Sequence, residues 1–328
     1  MGGFASQNDT YKRVVSNIAK SMTKQDIYNF KILLLALNKI AESGINEISE
    51  KWVLETLPKA LPLLTHLVVN FQIPKIERIT INRRVVGTNK RIHNINFLKY
   101  PPADKVTKYG RCNMPGTSVL YGADFITTAL SEMRPKTGDL ITKSIWKLKK
   151  EHSFKICPIF HVQPTNGTFN PRSYQFEKNF FDEVIKFPED EREAVIELSK
   201  FIAHYFSKAV NIDNDKDYLY SAYFADKILN ELDNGTIEGI YYPSVKSSLS
   251  FENIALKTSV FDEYFVLDEV DESVIFADPS NGRGGLLMRG ITSSKEFDLE
   301  NGKILWKDSL LYDQELKALI DKYKLDLN

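Results

Sequence analysis

Within residues 109–135, YGRCNMPGTSVLYGADFITTALSEMRP, a guanidinium, a phenol and a carboxylate stand at the junctions of three local elements. Arg111 falls in a Gly-Arg-Cys-Asn turn ahead of Pro115-Gly116, and Asn113 completes that turn. Tyr121 ends a short apolar run that reads as a strand, and Glu132 lies near the end of a short helix with Asp124 as its expected cap. A turn arginine offers a planar fork that suits two oxygens of a phosphate or carboxylate. A glutamate near a helix C-terminus sits where the macrodipole disfavours an anion, which hints at a purpose other than local stability. Each residue also has a plain structural reading: a surface turn, a strand aromatic, an exposed helix residue.

The rest of the chain narrows the class. It has 328 residues, 43% of them hydrophobic, enough for one large domain with additions or for two domains. Lys+Arg and Asp+Glu balance at 43 each, so there is no basic footprint of a nucleic-acid binder. The most apolar stretch, FKILLLALNKIAES, is interrupted by Lys and Glu well before the roughly 18 residues that a membrane span needs. Two cysteines, Cys112 and Cys157, without a C-x-x-C motif, argue against a disulfide scaffold or a structural zinc site. With no evident signal peptide, a cytoplasmic location is expected. Histidines 66, 93, 152, 161 and 204 are scattered and read as structural or surface residues.

The elements that must position these residues follow from pattern. Residues 8–70 read as helical, with Ile27, Phe30, Leu34, Leu37 and Ile40 at helical spacing and TKQD at 23–26 as a helix start. From Pro74 the texture alternates. IERITINRRVVG, with Ile79, Ile81 and Val85 on one face, predicts a strand. Residues 88–118 are loop-rich. LITKSIWKL, FKICPIFHV, TIEGIYYPSV, VFDEYFVLDEV and SVIFADPS read as strands. Helices are expected after Pro188, over YLYSAYFADKILNEL up to Asn234-Gly235, and over DQELKALIDKYKLD. The expected class is α+β.

The segment GRCNMPGTSVLYGADFITTALSEMRP resembles the signature of the RES-domain family, named for its Arg, Glu and Ser. Two distant blocks extend the resemblance. ITINRRVVG supplies Arg83 and Arg84 for the family's arginine on an earlier strand, and IYYPSVKSSLSFENIAL supplies Ser244 and, beyond it, Asn253. Alternation puts Arg83 with Ile81 and Val85, and Arg84 on the opposite face. Arg83 is preferred because the family's arginine follows an apolar residue two positions earlier. Cys112 replaces the family's usual aromatic and reads as a small buried filler, since no His stands near it in sequence.

The resemblance, over residues 76–260, implies a split mixed β-core like that of ADP-ribosyltransferases, with flanking helices. A helical N-terminal extension over 1–73 would then precede an NAD-binding catalytic domain over 74–328. It further implies cleavage of the nicotinamide–ribose bond of NAD+ by hydrolysis or phosphorolysis, in a toxin restrained by an antitoxin or regulatory protein. Transfer of ADP-ribose to a protein, or an inactive binding module on the same fold, are the alternatives. NAD+ would be substrate, with no cofactor or metal. Glu132 would stabilise the ribosyl cation, Arg111, Arg83 or Arg84 would hold phosphate, and Tyr121 would stack on nicotinamide. Ser244 would bond the ribose, the nicotinamide amide or Glu132, and Asn113 would join the NAD contacts.

Overall fold

The computed structural model describes residues 12–17, 22–123, 125–160, 170–210, 214–245, 252–277, 286–307 and 313–328. The expected cap Asp124 and His161 lie outside them. The chain begins with β1 (Lys12–Ser16), α1 (Lys24–Ser43) and α2 (Glu47–Thr56), and continues into β2 (Thr65–Phe71), β3 (Lys75–Ile81) and α3 (Asn82–Val86). A long irregular stretch leads to β4 (Val119–Ala123) and α4 (Ile126–Met133), then β5 (Leu140–Leu148) and β6 (Phe154–Pro158). Three helices follow: α5 (Pro171–Val184), α6 (Glu189–Ser207) and α7 (Leu219–Asn230). The last part holds β7 (Gly239–Pro243), β8 (Glu252–Lys257), α8 (Thr258–Tyr264), β9 (Phe265–Ala277) and β10 (Leu287–Ser294). A small ribbon of β11 (Phe297–Asp298) and β12 (Lys303–Ile304), and α9 (Gln314–Tyr323), close the chain.

Ten strands form one mixed sheet in the order β1-β2-β6-β7-β8-β4-β3-β5-β9-β10. The β6–β7 pair is parallel and the other pairs are antiparallel. The protein is therefore α+β, built on a large mixed sheet with helices packed around it.

Local chemistry sets these elements. Thr23 and Asp26 form a reciprocal capping box at the start of α1, and Ile27, Phe30, Leu34, Leu37 and Ala41 bury one face. Asn46 and Ser49 do the same for α2. Acids at 189–191 open α6 where the helix dipole favours them.

Three expectations need correction. Residues 12–16 and 65–71 are strands, not helix. THLVVNF is rich in β-branched residues and is hydrogen-bonded between β1 and β6, almost wholly buried. The strand expected to run on through Arg83 and Val85 stops at Ile81, where its ladder with β5 ends at Ile141. Asn82 then turns inward, donating to the Lys90 carbonyl and accepting from Thr142 at 2.9 Å each, and α3 closes on Gly87 in a left-handed conformation. Residues 258–264 form a helix, because Val260, Phe261 and Tyr264 fit its period, with Phe261 packed edge-on to Trp146.

The main apolar core runs from Ile27 to Ile304, so α1 and α2 share it with the residues that follow. Tyr220 donates to the Leu37 carbonyl and Tyr205 to Asn38, both at 2.9 Å, pinning α1 to α6 and α7. At the other end of the sheet Arg91 and Glu272 form a fully buried ion pair at 2.9 Å, and Arg91 also donates to the Leu327 carbonyl.

Candidate functional site

The sheet parts in the middle. β3 pairs with β5 over its whole length and β4 with β8 over its whole length, whereas β3 and β4 meet at a single pair, Glu77 and Ala123. At this meeting point a Cβ on Gly122 would stand 2.3 Å from Ile76 Cγ2, so only glycine lets the strands approach this closely. Where they diverge lies a cleft of about 270 Å³, lined by Arg78, Arg111, Tyr121, Glu132, Tyr218, Tyr242 and Asn253 among others.

Arg78 spans the parting. It leaves β3 and donates from Nη1 to the Tyr121 carbonyl of β4 at 2.7 Å, taking the place of a missing ladder bond. Its Nε has no partner among the described residues, and burial pushes the guanidinium down to about 10, so it stays charged at neutral pH. Arg83 and Arg84 do not reach the cleft lining. Arg83 is ion-paired with the buried Asp139, and Arg84 lies on the surface of α3. Arg78 also follows an apolar residue, Ile76, two positions earlier, so the rule that singled out Arg83 holds equally for it. The missed signal was where the strand ends.

The turn carrying Arg111 is held by Tyr121. The phenol accepts from Cys112 N and donates to Asn113 Oδ1, both at 2.8 Å, and Asn113 Nδ2 donates to the Lys108 carbonyl at 3.2 Å. Burial raises the Tyr121 hydroxyl well above its ordinary range. Gly110 is obligatory here, because a Cβ would meet Asn113 Oδ1 at 2.2 Å. Asn113 and Cys112 are thus buried parts of the turn lock, outside the cleft lining. Both cysteines are free and buried, and burial raises their thiols. Arg111 caps the C-terminus of α6, donating to the carbonyls of Tyr205 (3.2 Å), Phe206 (2.5 Å) and Lys208 (3.3 Å). Its guanidinium also lies over the Tyr218 ring at 5.0 Å. These bonds occupy three of its five N–H donors.

Glu132 comes from α4, and its partners come from the far side of the sheet. Ser244, fully buried just after β7, donates to Glu132 Oε1 at 2.6 Å, and Asn253 of β8 donates to the same oxygen at 3.0 Å. Oε2 has no partner among the described residues, so the carboxylate is fixed by one oxygen and keeps the other available. Tyr218 and Tyr242 complete the wall. Burial raises both phenols, and the Glu132 charge adds to that.

Such a site can stabilise a developing cation at Glu132, enclose a flat ring between tyrosines and hold an anion near Arg78. Arg111, Tyr121 and Glu132 meet around one cleft, with Ser244 directly behind Glu132. Arg78, Tyr218, Tyr242 and Asn253 were not among the expected site residues. Tyr218 gave no sequence signal at all, since it ends a short turn between two helices. Among the described residues no group of three or more His, Cys, Asp or Glu could hold a metal ion, and no helix is long and apolar enough to cross a membrane.

No curated protein matches the chain. The sequence model of the RES domain matches residues 88–271, a span from the Arg111 turn through Glu132 to Ser244 and Asn253. That span is more than half of the chain and contains all of the observed site except the β3 wall with Arg78, so the protein belongs to the RES-domain family.

Proposed function

We propose that the protein consumes NAD+ by breaking its nicotinamide–ribose bond, with water or inorganic phosphate as the second reactant. The family is associated with NAD+-related toxin activity. The observation that carries the reading is Glu132, gripped through Oε1 by Ser244 and Asn253 and leaving Oε2 to the cleft.

The chemistry needs little more than such a group. The bonding pair of the N-glycosidic bond leaves with nicotinamide, which departs neutral and needs no proton, while positive charge builds on C1 of the ribose as in glycoside cleavage. Glu132 Oε2, fixed beforehand, stabilises that charge without reorganising. Water or phosphate then adds to C1 and loses its proton to solvent. The rings of Tyr121, Tyr218 and Tyr242 offer apolar walls for the pyridinium. Ser244 acts as a positioning residue through its bond to Glu132. The cleft is at the small end of ligand pockets, roughly 300–1,000 Å³. It therefore takes the reacting half of the dinucleotide and leaves the rest over its mouth.

Incubating the purified protein with NAD+ tests this directly. Free ADP-ribose indicates hydrolysis, a phosphorylated ADP-ribose formed only with phosphate indicates phosphorolysis, and label fixed on protein indicates transfer. Glu132→Gln keeps the hydrogen bonds' shape but removes the charge, and is expected to slow NAD+ loss by about 100-fold or more. Wild-type rates in that variant, or intact NAD+ with the wild type, would sink the proposal.

A further inference from the structure

If the reacting half of NAD+ fills the cleft, its diphosphate lies at the mouth, and the cleft's own arginines are poorly placed to take it. Arg111 spends three donors on the end of α6, and Arg78 spends one on the Tyr121 carbonyl. Arg83 is neutralised by Asp139.

Arg134 is different. It follows Met133, which lines the cleft, and stands two residues after Glu132. It ends α4 at φ 48°, ψ 60°, a left-handed position that glycine or asparagine ordinarily fills and that strains a larger residue. Its exposed guanidinium has no hydrogen-bond or ion-pair partner among the described residues. It lies near enough to Tyr218 in the cleft wall to act on that phenol's charge. Arg84 reaches the same place from α3, its Nη2 facing the Arg134 carbonyl at 3.5 Å. The nearest acid to Arg84 is Asp139, already engaged by Arg83 and by the Lys136 amide. The Arg84 side chain thus ends beside the Arg134 backbone, next to the cleft-lining Met133, and among the described residues no acid is ion-paired with either arginine. Arg134 is held in a strained backbone conformation.

We infer that Arg134 and Arg84 form a binding site for the diphosphate of a dinucleotide at the mouth of the cleft. This deepens the NAD+ reading and rests on it. A diphosphate carries two negative charges and offers paired oxygens to two guanidinium forks.

The test is calorimetric binding of ADP, a diphosphate lacking the nicotinamide, to the full chain. Arg134→Ala is expected to weaken ADP about tenfold, and the Arg84→Ala/Arg134→Ala pair further, with Arg134→Lys keeping part of the affinity. Arg134→Gly controls for folding: its backbone accepts φ 48°, so its melting temperature is expected to match or exceed wild type while ADP binding still falls. In turnover, KM for NAD+ is expected to rise about tenfold while KM for nicotinamide riboside, which lacks phosphate, stays put. Unchanged ADP affinity in the double variant overturns the inference, and so does a wild type that does not bind ADP. Arginine-dependent ADP binding by a protein that leaves NAD+ intact would remove the glycosidic reading and leave the diphosphate site standing.

Discussion

A carboxylate tethered through one oxygen owes its aim to residues that never touch what it faces. Ser244 and Asn253 both bond Glu132 Oε1, and Ser244 is fully buried. Ser244→Ala is therefore expected to lower kcat about tenfold, leave KM for NAD+ nearly unchanged, and add little to the loss in Glu132→Gln. Steady-state kinetics of the two single variants and the double one read this out, and additive losses would argue for separate roles. At this scale the sequence was most legible where polar residues sit close together in the chain. Arg111, Tyr121 and Glu132 occupy 22 consecutive positions and do meet around one cleft. What sequence could not tell was which of their atoms would be spent on structure. Tyr121's hydroxyl and most of Arg111's donors tie down a turn and a helix end, and only three-dimensional neighbours such as the Phe206 carbonyl decide that.

At the scale of elements, the cleft exists because β3 and β4 share one bridge and then diverge, with Gly122 at the point of nearest approach. Gly122→Ala would push a methyl into Ile76 and is expected to destabilise the fold by about 1–3 kcal/mol. Trimming the obstacle with Ile76→Ala in the same chain should return part of that loss, despite the cavity Ile76→Ala makes alone. Urea midpoints of the four proteins measure it, and a double variant no better than the sum of the singles would show that the contact is not the cause. Strands were readable where alternation or β-branching continued, as in LITKSIWKL and IYYP. The end of β3 was not, because INRRVV keeps an apolar alternation while the ladder with β5 stops at Ile81–Ile141 and Asn82 turns inward instead. With the strand ending there, Arg78 lines the cleft and Arg83 does not.

At the scale of the whole molecule, the N-terminal helices and strands share one apolar core with the residues that follow. β2 lies between β1 and β6, and α1 is hydrogen-bonded to α6 and α7. Removing residues 1–70 would expose the β6 edge that pairs with β2 and bare the faces of α6 and α7, so the truncated chain is expected to be insoluble. A soluble product with a cooperative melt would refute this. The same core carries an acid sensitivity. His66 is buried on β2 beside Phe180, neither ring nitrogen has a partner among the described residues, and burial drives its imidazole down to about 4. An unfolded histidine binds its proton near 6.5. The unfolded chain therefore takes up the extra proton between those values. The contribution is complete above pH 6.5 and falls away as pH drops toward 4, by roughly 3 kcal/mol in total. His66→Phe should flatten stability against pH across that window, and an unchanged slope would acquit His66.

The parted sheet has a kinetic corollary. Among the described residues, one strand bridge and the Arg78–Tyr121 contact join the β3 and β4 halves of the sheet backbone. Amide protons along the facing edges of these strands should therefore exchange with solvent sooner than those of the β5–β9 ladder. A molecule seated between Arg78 of β3 on one bank and Tyr121 of β4 on the other would slow both edges together, so hydrogen exchange offers a way to see occupancy even when no bond is broken.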